Sequence, residues 1–194
     1  IKRIIECKKG NYMVFFPSYS LLKSVYEVIV EREDFKDIVI VCQQSNMSER
    51  DREDFLAQFE TVGDNSLGAF CVMGGIFSEG IDLTNDKLIG TVVVGTGLPQ
   101  VCVERDIIMN YFKDKGMNGF DYAYKYPGMN KVQQAAGRVI RTHEDTGIIA
   151  LLDERFATRE YGVLFPREWN DISFVNINEA GVKIDEFVER TYKR

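Results

Sequence analysis

Asn130 to Phe156 reads N-K-V-Q-Q-A-A-G-R-V-I-R-T-H-E-D-T-G-I-I-A-L-L-D-E-R-F, and this stretch decides how the rest of the chain is read. Within it Gln134, Gly137, Arg138 and Arg141 fall in the pattern Q-x-x-G-R-x-x-R. In a helix, residues at i, i+4 and i+7 share a face, so Gln134, Arg138 and Arg141 are expected side by side on one rod. Gly137 beside them would let another surface approach the backbone. Val132, Ala136, Val139 and Ile140 are left for packing. Two planar guanidinium forks on one rod can grip an anion.

A helix face with two arginines and a glutamine is more often a solvated surface than a site. The residues after Arg141 reverse that balance. Asp145-Thr146-Gly147 predicts a turn, and Ile148 to Leu152 is an unbroken apolar run ending at Asp153. Such a run predicts a strand buried on both faces, at the centre of a parallel sheet. A helix of this kind, feeding a strand, would carry its charge to the sheet's edge.

The stretch resembles motif VI of superfamily-two helicases, and the tail G-I-I-A-L-L-D-E-R-F narrows the likeness to the DinG and XPD group. The resemblance implies an α/β, RecA-like three-layer fold, with a central mostly parallel sheet flanked by helices. It also implies that Arg141 is an arginine finger reaching the γ-phosphate of an ATP held mainly by a partner domain. Arg138 and Gln134 would act beside it, with Gly137 on the nucleotide side.

Length and composition agree with one α/β domain. The chain has 194 residues, 45% of them hydrophobic and 28% charged. That is ordinary for a globular protein. No apolar run approaches the ~18 residues of a membrane helix, and no signal peptide is expected. Cys7, Cys42, Cys71 and Cys102 are widely spaced, without a C-x-x-C pair. They are expected to be reduced core or strand cysteines of a cytosolic protein, with no metal site among them. A net charge of −6 lowers the prospect of nucleic-acid binding without excluding a local basic groove. The chain begins at Ile1, in an apparent helix closed by Lys8-Lys9-Gly10. A piece of a longer protein is therefore expected.

Alternating elements predict right-handed parallel crossovers. Strands are expected at Asn11–Phe16, Ile38–Cys42, Ser66–Met73, Leu88–Val94 and Ile148–Leu152. A helix near Ser20–Glu33 would bury Leu21, Leu22, Val25, Tyr26, Val28 and Ile29, with Ser18 and Ser20 as candidate N-caps. Ser48-Glu49-Arg50-Asp51 predicts a capping box, with Phe55, Leu56 and Phe59 facing inward behind it. A helix from about Val101 to Phe112 precedes a loop at Lys115–Tyr126. Phe165 to Trp169 closes the compact part, with Trp169 expected as a packing anchor ahead of the alternative, stacking on a base. Residues 170–194 form a C-terminal extension with an amphipathic helix from Asn178. Lone His143 is expected in a solvent-facing loop.

Three loops after strands are placed for chemistry, since function gathers at the carboxyl ends of a parallel sheet. Pro17-Ser18-Tyr19-Ser20 offers hydroxyls at a helix start, which serve equally as N-caps or as a phosphate site. It resembles motif IV of the same group, which implies that Ser18 and Tyr19 contact the backbone of single-stranded DNA. Gly74-Gly75-Ile76-Phe77-Ser78-Glu79-Gly80-Ile81-Asp82 turns sharply and carries two carboxylates. Its S-E-G-I-D string resembles motif V, which implies Ser78 on the strand's phosphate side and Glu79, Gly80 and Asp82 on the nucleotide side. Gly95-Thr96-Gly97-Leu98-Pro99-Gln100 lacks the third glycine of a dinucleotide fingerprint. It resembles the G-x-P element after motif V.

Taken together, these likenesses imply the second motor domain of an ATP-dependent DNA helicase. It would move 5′ to 3′ on single-stranded DNA as a monomer, with no membrane partner. ATP and Mg2+ would be bound jointly with the N-terminal helicase domain of the same chain. No G-x-x-x-x-G-K-[ST] loop, D-E-x-H box or cysteine quartet for the family's iron–sulfur cluster appears here. Those are expected N-terminal to Ile1, and the fragment alone is expected to be inactive. The rival reading, a non-catalytic RecA-like docking or nucleic-acid-binding module, leaves the intact Q-x-x-G-R-x-x-R without a purpose.

Overall fold

Asn11–Phe16 (β1) is buried at every position after Asn11. An apolar strand with no exposed face belongs where helices cover both sides. β1 pairs in parallel with Ser66–Val72 (β3) on one side and Gly90–Val94 (β4) on the other. Ile38–Cys42 (β2) lies beyond β3 and Ile148–Leu152 (β5) beyond β4. The sheet therefore has the order β2-β3-β1-β4-β5, with every pairing parallel. The coordinates are a computed structural model that describes residues 1–60, 65–78, 83, 87–140, 145–169 and 171–192.

Alternation along the strands sorts the core into two layers. Met13, Phe15, Ala69, Cys71 and Val93 face Glu49–Ala57 (α3) and Tyr126–Ala136 (α5), meeting Phe55, Met129, Val132 and Ala135. Tyr12, Val14, Phe16, Phe70 and Val92 face the other way. There they meet Ile5 of Lys2–Ile5 (α1), Leu22 and Ile29 of Tyr19–Val30 (α2), and Ile184 of Ile177–Tyr192 (α7). Each such aromatic or branched side chain contributes roughly 1.5–3 kcal/mol by leaving water.

β1, β2 and β5 have the ranges that the sequence predicts, and β3 and β4 are shorter by one and two residues. The expectation that β5 is central and buried on both faces is corrected. Last in the strand order, it is only half-buried, and Leu152 is exposed. Leu151 packs against one layer and Ile148 and Ala150 against the other, and among the described residues no strand lies beyond them.

The stripe on α2 is narrower than predicted. Leu22 and Ile29 are buried and Val25 and Tyr26 half-buried, while Leu21 and Val28 are exposed. Ser18 caps this helix by accepting from the Leu21 N–H, and Ser20 lies inside it. The capping box forms between Ser48 and Asp51 as predicted. Phe55 and Phe59 are buried behind it and Leu56 is half-buried.

Val103–Asp114 (α4) begins two residues later than expected and buries none of its side chains. Cys102, read as a core or strand residue, is exposed at its start. Beyond Arg159–Gly162 (α6), half-buried Trp169 packs on Phe165 with ring centroids 5.4 Å apart. The extension folds back on the body: Arg3 grips Asp185 with both carboxylate oxygens engaged, and Lys8 lies 3.6 Å from the Tyr192 ring centroid. No helix among the described residues is long and apolar enough to cross a membrane.

Candidate functional site

The loop predicted at Lys115–Tyr126 is mostly helix. Helical structure starts at Gly119, widens to a π turn at Asp121–Lys125 and continues into α5. The cause is Pro127. It has no N–H to give the Ala123 carbonyl four residues back. The Tyr126 N–H reaches instead to Asp121, five residues back. Arg105 of α4 donates to the freed Ala123 carbonyl at 3.1 Å. Lys125, buried in the same turn, is matched by Asp121 at 2.7 Å. Such widened turns recur at functional sites.

α5 is also seated from the loop after β4. Gly97 has φ +65°, and a Cβ there would lie 2.9 Å from the Gly128 carbonyl oxygen. A Cβ on Gly128 would lie 2.6 Å from the Thr96 carbonyl oxygen. Two backbones meet here, and only glycines leave them room. The G-T-G-L-P string thus docks a helix on the sheet.

The far end of α5 corrects the predicted rod. The helix ends at Ala136 with Gly137 as its C-cap. Arg138 and Val139 bond back three residues, to Ala135 and Ala136, so the chain is in a tight turn where the arginines begin. Gln134, exposed in the last helical turn, and Arg138 therefore do not share a rigid face. Gly137 is exposed with φ −66°, and a Cβ there would meet only α5 carbonyls, Gln133 first at 3.1 Å. Among the described residues nothing outside α5 lies within 4 Å of that Cβ. Val132, Ala136 and Val139 pack inward as expected, but Ile140 is exposed. Arg141 and His143 lie outside the described residues, as do Glu79, Gly80 and Asp82.

The loop after β3 is tied from within. Ser78 is fully buried. Its hydroxyl donates to the Val72 carbonyl (3.1 Å) and accepts from the Gly74 N–H (2.9 Å). In this arrangement Ser78 shapes the loop and presents its backbone. Its carbonyl accepts a hydrogen bond from Arg138 Nη2. The S-E-G-I-D and Q-x-x-G-R-x-x-R segments, 60 residues apart, are thereby joined.

Gln43 is a residue that the sequence reading passed over. It follows the apolar β2 run and is 2% exposed. Its Oε1 accepts from the Val72 N–H at 2.9 Å, and its Nε2 donates to the Tyr19 hydroxyl at 2.8 Å. A glutamine directly after I-V-I-V-C, at the carboxyl end of a parallel strand, was the available signal. Tyr19 itself is 37% exposed, so one end of this network reaches solvent. Among the described residues no group of three or more His, Cys, Asp or Glu side chains could hold a metal ion.

The sequence profile of the family described as the helicase C-terminal domain matches residues 1–172. A probable ATP-dependent helicase of Methanocaldococcus jannaschii is 26% identical over 167 residues, covering 80% of this chain and 25% of that protein. The ATP-dependent DNA helicase chl-1 of Caenorhabditis elegans is 30% identical over 162 residues, covering 81% of this chain and 19% of its own length. A solved structure of XPD in the apo state superposes with a TM-score of 0.65 at 24% identity, over 83% of this chain and 32% of that one. The chain thus spans a quarter or less of the two helicase sequences. Helix α7 lies beyond the matched family segment.

Proposed function

This chain belongs to the helicase C-terminal domain family of the DinG and XPD group, and from that premise we propose that it is the second motor domain of an ATP-dependent DNA helicase. In this reading ATP binds between two RecA-like domains. The N-terminal domain of the same protein holds most of the phosphates and the magnesium, whose charge screens the phosphoryl oxygens. This chain contributes Arg141 as the finger, with Arg138 and Gln134 beside it and Glu79, Gly80, Asp82 and Gly137 lining the nucleotide side. Ser18, Tyr19 and the backbone loop that Ser78 shapes form part of the track for single-stranded DNA. Closure around ATP and release after hydrolysis move the two domains along the strand, 5′ to 3′.

The observation that carries this reading is the hydrogen bond from Arg138 to the Ser78 carbonyl. It ties the arginine segment to the loop that would face both nucleotide and strand.

The test is Arg141→Ala in the full-length protein, with ATPase measured with and without single-stranded DNA. A finger of this kind contributes ~10³ to ~10⁵ in turnover. Turnover should fall on that scale while ATP affinity changes little, because ATP is held mostly by the other domain. Arg141→Lys should restore little, since an ammonium lacks the planar fork. DNA affinity should survive. Near-normal turnover with lost DNA binding would make Arg141 a track residue instead.

A further inference from the structure

The hydrogen bonds of Tyr19, Gln43, Val72, Ser78 and Arg138 form one continuous chain across the carboxyl edge of the sheet. The Tyr19 hydroxyl accepts from Gln43, and Gln43 accepts from the Val72 N–H. The Val72 carbonyl accepts from Ser78, whose own carbonyl accepts from Arg138. The links run from Tyr19, the first residue of α2 after β1, through Gln43 after β2. They continue to Val72 at the end of β3, Ser78 in the loop that follows, and Arg138 in the turn after α5.

We propose that Gln43 is a positioning residue that locks the loop carrying Ser18 and Tyr19 to the loop carrying Ser78. The two loops then meet the phosphate backbone of a single-stranded nucleic acid as one unit, already joined to Arg138. The inference rests on the motor-domain reading and assigns a role to a residue that the reading does not use.

Three facts support it. At 2% exposure Gln43 is buried among the few polar side chains of the core, so its hydrogen bonds are made to protein. Its backbone is held as well: the Gln43 N–H donates to the Phe70 carbonyl at 2.8 Å, extending the β2–β3 ladder by one residue. Gly75 packs against one side of its amide, since a Cβ there would lie 2.8 Å from Nε2. A side chain fixed at both ends and along its flank transmits position well. Tyr19 at its outer end is 37% exposed and can meet a ligand.

Chemistry at this position is specific. A carboxamide both donates and accepts, and both functions are used. Methionine matches the length, donates nothing and accepts only weakly. Glutamate keeps the acceptor toward Val72, and its second oxygen donates to the Tyr19 hydroxyl when protonated and accepts from it when ionised. Burying the charged form is costly and raises a carboxyl group's pKa, so Gln43→Glu should hold the two loops better as pH falls.

The experiment uses the full-length protein and oligo(dT), with ATPase titrated against oligonucleotide. Gln43→Met should raise the half-saturating oligo(dT) concentration about tenfold, the scale of one buried hydrogen bond. Turnover at saturating oligo(dT) should stay within about twofold, because the hydrolytic groups themselves are untouched. Gln43→Glu should recover more of the affinity at about pH 6 than at about pH 8. Tyr19→Phe should weaken binding in the same direction, and the double variant Gln43→Met/Tyr19→Phe should be no weaker than the weaker single one. This cycle also serves if Gln43→Met lowers folding yield, since Gln43→Glu and Tyr19→Phe can be paired instead.

Unchanged half-saturation in Gln43→Met, or effects that multiply in the double variant, would overturn the proposal. So would an equal fall in turnover and affinity without rescue by glutamate, which marks a merely structural residue. A wild-type protein whose ATPase ignores oligo(dT) would overturn the motor-domain reading, and this inference with it.

Discussion

The loops after β3 and β4 are both glycine-rich and leave neighbouring regions of the same sheet edge, yet they are held in different ways. The loop after β3 is tied by side-chain hydrogen bonds through Ser78 and Gln43, and it is joined to Arg138. The loop after β4 is held by shape, with its backbone against Gly128 of α5. Hydrogen bonds can be exchanged as a ligand arrives, whereas a backbone contact without side chains has no alternative arrangement. In the proposed reading the first loop is the part that responds to nucleotide and strand. The second suits a fixed seat for the helix that leads to the arginines.

The largest effect should come from the fixed seat. Gly128→Ala would drive a methyl group onto the Thr96 carbonyl, and overpacking against backbone should cost about 2–3 kcal/mol. For a domain of this size the melting temperature should drop by roughly 4–12 °C. A drop below about 1 °C would show that α5 is not seated by backbone contact.

Ser78→Ala tests the tied loop. It leaves the Gly74 N–H without the hydroxyl it now meets, and an unmatched buried donor costs about 1–2 kcal/mol. Denaturant unfolding should show that loss, and affinity for oligo(dT) should fall with it. If stability drops and affinity does not, the loop's shape is not part of the track.

Thr96→Val sharpens the contrast at the smallest scale. Thr96 is buried in the shape-held loop, and its hydroxyl has no hydrogen-bond partner among the described residues. Valine keeps the outline and removes the unmatched group, so stability should rise by about 0.5–1 kcal/mol. A loss of stability would mean that this loop, too, depends on hydrogen bonding.

The sequence by itself determined the strands, because an apolar run such as Asn11–Phe16 has few alternatives to a covered parallel strand. It also determined the capping box at Ser48 and Asp51, a local bond between residues three apart. The helicase likeness of the motifs was legible for the same reason: each motif is a short continuous string.

What the sequence could not supply depended on contacts far apart in the chain. Ile148–Leu152 looks like a central strand, and only the strand order makes it an edge. The helix predicted through Arg141 stops at Ala136, and the turn at Gly137 sets Arg138 against a carbonyl 60 residues away. The π turn before α5 is stabilised by Arg105 from another helix, a partner that local periodicity cannot reveal. Gln43 is hard to read for a related reason. Its place after the β2 run is the one local signal, Gln44 stands beside it, and its role exists only where β1, β2 and β3 end side by side, because parallel pairing gathers distant loops at one edge.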